Sequence, residues 1–521
     1  MNNRKYASLG VEVHESLIFE RSLPGVSGID FFEDQPDENI ATEEFKKALG
    51  DRQRNLDDEL LLPQISEPDA VRHYTRLSKK NFSIDANSYP LGSCTMKYNP
   101  KVHEWAARMP GISELHPYFL EHDIQPALEI YYELQEFLAK IGGFDAVSLA
   151  PSAGAQGEFA GLAMINKALK DRGENRHKIL VPKSAHGTNP ATAAYFSYEV
   201  ISLDIGQDGR VITSQVAELM DDSCAGIMLT NPNTLGIFES DIASITQIVH
   251  ERGGYVYGDG ANLNALMGLT RPGDWGVDVM HFNLHKTMTT PHGGGGPGCG
   301  ALGAAKSLAP YLPIPIVKKN EQNYHVAECP QSIGRIRSFF SNFAMVIRAW
   351  CYIKSLGSQG LKEASLLAIL NANYIRAQLE PYYHLPYKSD CLHEVVFSDK
   401  KQNEYGVNAL DIAKRIIDFG IHPPTMYFPL NVKGALMIEP TETESLYDLN
   451  ALINAFIEIA KESKHTPDFV KNAPHNTSLL RPDEVKAARN PILSYQELQK
   501  LHQQSEDKTQ SPSDKVLFAA A

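Results

Sequence analysis

Between about residues 146 and 303, short apolar runs alternate with stretches whose apolar positions recur at helical spacing. Runs of four to eight apolar residues bounded by turn formers read as buried strands. They fall at 178–182, 200–203, 226–229, 254–257, 277–284 and 300–303. Strands alternating with helices predict an α/β domain with a mostly parallel sheet. Ahead of it lie a helix start at 68–77, an irregular stretch (NSYPLGSCTMKYNP) and a long amphipathic helix over 124–141. After it, an aromatic-rich and aliphatic-rich run predicts a linking helix over 338–356. Residues 360–470 then mix helices with strands in HEVVFS and KGALMIEP, and an amphipathic helix spans 448–463. The pattern divides the chain into an N-terminal arm (1–65), a large domain (66–335), a linking helix with a smaller α+β domain (336–495) and a polar tail (496–521). The arm is acidic and rich in Pro and Gly, with a helical patch at 43–48, and reads either as a wrap around a partner subunit or as a loose tail. The tail's composition predicts disorder. No internal repeat is visible.

At 521 residues, with 43% apolar and 21% charged positions, the chain can bury a sizeable core. Its net charge of −14 argues against a nucleic-acid or anionic-membrane partner. The six cysteines are scattered without zinc-type spacing, so no metal is expected and reduced thiols are the simplest account. No apolar run approaches the ~20 residues of a membrane span, and the first residues lack a signal-peptide pattern. A soluble, cytoplasmic protein is expected.

Asp259 closes one candidate strand, and Lys286 follows another. In an open parallel sheet, ligands bind at the carboxyl ends of strands, so a carboxylate and an amine are aimed at one crevice. A pyridoxal-phosphate (PLP) enzyme needs that pair: a Lys for the Schiff base and an Asp for the pyridinium nitrogen. PSAGAQGEFAG (151–161) precedes a helical run. It reads as a phosphate cradle on a helix N-terminus or as an ordinary Gly/Ala turn. It has neither a GK[ST] Walker ending nor a dinucleotide fingerprint. His186, in SAHGTNPA, could stack on a cofactor ring or transfer protons. Asn231, in TNPNTLGIFE, could donate to a cofactor oxygen or simply form an Asn-Pro turn. The run HGGGGPG (292–298) suggests close backbone approach, a hinge or a flexible loop. The cradle, His186, Asn231, Asp259 and Lys286 occur in that order in one α/β region. Together they point to a fold-type-I PLP enzyme with a large domain and a smaller C-terminal α+β domain.

YPLGSCTMKYNP, LHPY, PSAGAQGE, SAHGTNPA, TNPNTLGIFE, YGDGAN, NLHKT, SIGRIRSFFSNF and HPPTMYFPL span residues 89–430. Together they resemble the glycine dehydrogenase (decarboxylating) family, the P-protein of the glycine cleavage system, and within it subunit 2 of the two-subunit form. The resemblance covers about residues 65–495. It implies that Lys286 holds PLP, Asp259 pairs with the ring nitrogen, Ala261 packs under the ring and His186 stacks above it. Ser152, Gly154, Ala155 and Gln156 would hold the phosphate, helped by His285. It further implies decarboxylation of glycine and transfer of the aminomethyl group to the lipoyl arm of the H-protein. The implied assembly pairs this chain with P-protein subunit 1, two copies of each. The alternatives are another PLP-dependent decarboxylase, a desulfurase-like enzyme with a mobile cysteine, or a silent PLP-fold scaffold subunit. Cys299 lies beside the glycine run but too close to the strand at 300–303 to be mobile.

Overall fold

Four strands in the middle of the chain are mostly apolar, and that composition decides where they sit. Cys224–Thr230 (β4), Tyr255–Gly260 (β5), Val279–Asn283 (β6) and Gly300–Ala304 (β7) are buried at every residue. A strand that is apolar on both faces needs cover on both. With Ala146–Ser148 (β1), Lys178–Pro182 (β2) and Glu199–Leu203 (β3), they form a seven-stranded sheet of order β1-β7-β6-β5-β4-β2-β3. The β2–β3, β2–β4, β4–β5 and β5–β6 pairs are parallel, and β7 runs antiparallel to both β6 and β1. The computed structural model describes residues 15–28, 47–52, 62–292, 298–477 and 479–508. Most of the arm expected at 1–65, and residues 293–297 of the glycine run, lie outside them.

Residues 83–475 form one compact unit. One face of the sheet packs against the helix Gln125–Gly142 and the first part of the helix Phe343–Leu379, through Tyr131, Leu134, Leu138, Val346 and Ala349. The helix Gly154–Asp171 covers the other face, with Leu162, Met164 and Ile165 in the core. It lies very close to the sheet because its inner row is glycine. A Cβ on Gly157 would sit 2.8 Å from the His281 Cβ, and one on Gly161 2.7 Å from the Tyr257 ring.

The linking helix expected over 338–356 begins only at Phe343 and runs to Leu379. Phe339 and Ser341 adopt positive φ (57° and 63°), which ends any helical path before Phe343. Gly357 breaks the helix internally at φ 62°. The smaller sheet pairs Val395–Ser398 with Ala435–Ile438, and the latter with Thr425–Met426, all antiparallel. Helices Ala409–Ile417 and Leu446–His465 supply Ile412, Ile416, Leu452 and Phe456 to its core. Two short features went unread in the sequence: β1, and a hairpin of Val317–Lys319 with Tyr324–Val326.

A second unit combines residues 1–82 with 476–521. Ser66 caps the helix Glu67–Ser78 by accepting from the Asp69 amide. Glu15 is held by Arg21, His73 and Arg76. Burial opposes its charge, but the hydrogen bonds from Arg76, His73 and Arg21 prevail and bring its carboxyl down to about 2. Phe19 stacks on Tyr495 at 4.9 Å. Tyr495 opens a helix that runs to Lys508, within the segment whose composition predicted disorder, and residues beyond 508 lie outside the described chain. Among the described residues, no helix is long and apolar enough to cross a membrane.

Gly236 joins the loop after β4 to the small sheet. It adopts φ 76°, its carbonyl accepts from Leu392 N–H at 2.7 Å, and a Cβ there would lie 2.1 Å from the Glu394 carbonyl oxygen. Gly236→Ala combines left-handed strain with a backbone clash, and should cost roughly 2–4 kcal/mol. A drop in the urea unfolding midpoint measures it.

Candidate active site

The parallel register lines up one row of side chains across three strands. Thr230 pairs with Asp259, and Asp259 with His281. Residues paired in register point to the same face, and all three line one cavity of about 120 Å³ that opens to solvent. Past the end of β6, a single helical turn, Leu284–Thr287, carries Lys286. Its Nζ donates to the Ser93 carbonyl at 2.9 Å, and both residues border the same cavity. Strand ends thus bring Asp259 and Lys286 together, as the sequence suggested.

Asp259 is buried, and Oδ1 accepts from the Ala261 amide at 2.9 Å. His281 Nε2 lies 3.3 Å from that oxygen and 2.7 Å from Asn283 Oδ1. Two acceptors at Nε2 assign the imidazole proton there, so Nδ1 accepts from the Tyr257 hydroxyl. Burial lowers the His281 pKa, which keeps the ring neutral. Burial also raises the Tyr257 pKa and keeps its proton in place. Tyr257, His281 and Asp259 form an ordered relay ending at the carboxylate.

The opposite wall is the start of the helix Gly154–Asp171. Its first backbone bond runs from Gly157 N–H to the Ala153 carbonyl. The amides of Gly154, Ala155 and Gln156 precede that bond, and free amides at a helix N-terminus favour an anion. Only glycine fits at 154, where a Cβ would lie 2.2 Å from Asn283 Nδ2. Gly154 and Ala155 line the cavity. Ser152 and Gln156 do not; they bond each other. The Ser152 amide and hydroxyl donate to Gln156 Oε1 at 2.7 and 2.8 Å, and Gln156 Nε2 donates to the Ile336 carbonyl. This pairing secures the loop that leads into the helix.

His186 lies at the mouth, exposed, with its ring 5.6 Å from Phe428. The Thr188 amide donates to its Nδ1 at 3.2 Å. Desolvation lowers its pKa, the Asp259 carboxylate opposes this, and Lys286 adds to it. Ala261 also lines the cavity. Asn231 does not: its Oδ1 accepts from the Glu239 amide at 3.0 Å, a loop-closing bond. His285 faces the Cys299 carbonyl at 3.1 Å instead of the cavity, and burial takes its pKa down to about 4. Cys299 is fully buried, and its thiol is pushed up to about 11, so it is no nucleophile for desulfurase chemistry.

Several cavity residues went unnoticed in the sequence. Glu158 lies one helical turn after Gly154 on the same face, and i, i+4 spacing could have found it. His281 and Asn283 share a face by strand alternation. Asn262, whose Nδ2 donates to the Pro232 carbonyl at 2.9 Å, stands inside the quoted motif YGDGAN. Ser93 carries no local signal. It belongs to a strap that runs past the cavity and fastens to the small sheet. Leu91 bridges to Ile438, Ser93 N–H donates to Glu394, Thr95 to Glu439, Lys97 to Glu442 at 2.6 Å, and Tyr98 N–H to Thr443.

The residues present fit PLP. An amine for its aldehyde, a buried carboxylate for its ring nitrogen and free helix amides for its phosphate surround one cavity. The buried Thr230 hydroxyl and Glu158 Oε1 have no hydrogen-bond partner among the described residues, as expected of walls built for a polar ligand. Solved structures with the same architecture include an inhibitor-bound glycine decarboxylase (P-protein) of the glycine cleavage system. Its TM-score is 0.70 at 19% identity, covering 83% of this chain and 100% of that one. A glutamate decarboxylase from Lactobacillus brevis matches with a TM-score of 0.61 at 14% identity, covering 80% and 97%. Fold and site together define a fold-type-I PLP-dependent enzyme. In sequence, the chain is 50% identical over 491 residues to a probable glycine dehydrogenase (decarboxylating) subunit 2 of Halalkalibacterium halodurans, covering 93% of this chain and 99% of the relative. It is 53% identical over 439 residues to the like-named protein of Staphylococcus epidermidis, covering 84% and 87%. Residues 364–481 match the family model for the glycine dehydrogenase C-terminal domain. The chain belongs to the glycine dehydrogenase (decarboxylating) subunit 2 family.

Burial and the nearby Asp259 raise the Glu158 carboxyl to about 7. A carboxyl raised on folding binds more protons folded than unfolded, so stability falls as pH rises from about 4.5 to about 7 and is level above. Glu158→Gln removes that slope. Without added PLP, its stability relative to the parent should grow by on the order of 2–3 kcal/mol across the window, read from urea unfolding at several pH values.

Proposed function

We propose that this chain is the PLP-bearing half of a two-subunit glycine dehydrogenase. It removes CO2 from glycine and passes the remaining aminomethyl group to the lipoyl disulfide of an H-protein, which is reduced in the process. The closest structural support is the placement of Asp259 and Lys286 against one cavity at the carboxyl ends of β5 and β6.

Each wall has a task in that reaction. The Lys286 amine would hold the cofactor by its aldehyde. Bound PLP supplies a protonated ring that accepts the electron pair left by departing CO2. Asp259 keeps that ring protonated, and the Ala261 amide with His281 holds the carboxylate in place. The amides of Gly154 and Ala155 anchor the phosphate. His186 covers the open face of the ring at the mouth. Its lowered pKa favours the neutral imidazole, which stacks without placing a cation over a protonated ring. Thr230, Thr234 and Asn262 complete the polar lining of the cavity.

The subunit-2 name of the relatives implies a subunit 1. We infer a heterotetramer with two copies of each, and brief docking of the H-protein, since a carrier must leave after each turnover. Residues 66–335 would bind PLP, and 336–495 would close over it.

Glycine-dependent exchange of labelled bicarbonate, measured with the partner subunit and lipoylated H-protein, tests the reading; absence of exchange in that full system would overturn it. Lys286→Ala should abolish exchange, and borohydride reduction followed by peptide mapping should mark Lys286 and no other lysine. Asp259→Asn preserves shape but loses the charge, so exchange should fall at least ~100-fold, the scale of losing a preorganised charge in a buried site, while the fold survives by circular dichroism.

A further inference from the structure

Behind Lys286, two carboxyls stand where two like charges should not. Val395 pairs with Ile438 on antiparallel strands. The next rung brings Glu394 opposite Glu439, and both side chains are buried. Directly opposed like charges destabilise a sheet, and burial makes the repulsion worse. Each carboxyl has one fixed partner on the strap: Ser93 N–H donates to Glu394 Oε2 at 2.8 Å, and the Thr95 hydroxyl donates to Glu439 Oε1. Glu394 Oε1 and Glu439 Oε2 have no hydrogen-bond partner among the described residues.

The surrounding charges show what the pair must carry. Lys97 is fully buried, and its Nζ donates to Glu442, Asn264 and the Thr287 carbonyl, a demand that only an ammonium meets. Lys286 donates to the Ser93 carbonyl on the other side. Two ammoniums therefore face three carboxyls: Glu394, Glu439 and Glu442. One proton held between Glu394 and Glu439 removes the repulsion between the two opposed carboxylates. His393, the remaining neighbour, is buried, its pKa lowered to about 3 by burial, and it adds no charge. Cys94, between Ser93 and Thr95, is likewise neutral, since burial raises its thiol pKa. Burial raises Glu439 to about 7, and burial together with Glu439 raises Glu394 further.

We propose that Glu394 and Glu439 form a one-proton acid pair that lies against Lys286 and, through the Ser93 backbone, positions its amine. Both glutamates are positioning residues. The role of Lys286 rests on the function proposed above, whereas the shared proton does not. A metal ion is the competing occupant, because ligand atoms of His393, Glu394 and Glu439 lie within 4.8 Å of one another. The flanking Lys97 and Lys286 amines disfavour it, because a divalent cation would be repelled by both.

Infrared spectra of the full-length protein and of Glu394→Gln and Glu439→Gln, all at neutral pH, provide the test. In parent-minus-variant difference spectra, which cancel the contribution of Glu158 and other raised carboxyls, each single variant should lack one protonated-carboxyl band, because the remaining glutamate then carries the charge alone. In the protein without added PLP, acylation of Lys286 at fixed pH should change less than about twofold in either single variant. It should rise about tenfold in the double variant, which removes an opposite charge near the amine. A carboxyl band unchanged in both single variants would overturn the proposal. So would unaltered Lys286 reactivity in the double variant, or one equivalent of bound metal lost with Glu394→Gln. Should the double variant fail to fold, the single-variant spectra still decide. Loss of glycine exchange in the parent would count against the assigned reaction and leave the shared proton standing.

Discussion

A carboxylate buried at the end of a strand must be compensated, and Asp259 is the point from which the rest of this structure can be derived. Isolated in a low-dielectric interior, it would take up a proton and lose its use. The Ala261 amide and the neutral His281 hold it in the form that a cationic partner needs. Tyr257 fixes the tautomer of His281, and Tyr257 in turn sits against Gly161. The helix start at Gly154 and the strand end at Asp259 are therefore parts of one packed assembly.

The sheet was legible because parallel strands covered on both faces leave plain apolar runs. The run at 178–182 coincides with β2, and the others fall within a few residues of β3 to β7. Three-residue β1 is too short to register. The linking helix was placed five residues early because SFFSN is apolar enough to read as helix, while Phe339 and Ser341 adopt a backbone that composition does not reveal. Strand ends exposed Asp259 and Lys286, and small residues at a helix start exposed Gly154 and Ala155. Ser152 and Gln156 enter through the family resemblance and Asn231 through its place after a strand; their hydrogen bonds go to the loops that carry them. Ser93 stands nearly two hundred residues before Lys286, and only tertiary structure brings them together.

The strap from Leu91 to Tyr98 ties two parts of the molecule to one set of polar contacts. Its carbonyl at Ser93 serves Lys286, while its amide and the neighbouring side chains serve the small sheet. A buried polar network of this kind is stable only when complete. A shift of the small sheet is therefore felt at the Lys286 amine through the backbone of one residue, Ser93.

The glycine row of the helix Gly154–Asp171 acts as a gauge block. With no side chains between helix and sheet at Gly157 and Gly161, the separation of the two walls is set by backbone against side chain, with no compressible layer to adjust it. The distance from the Gly154 and Ala155 amides to Asp259 is accordingly a fixed length, so a ligand that is to meet both ends must match it in reach.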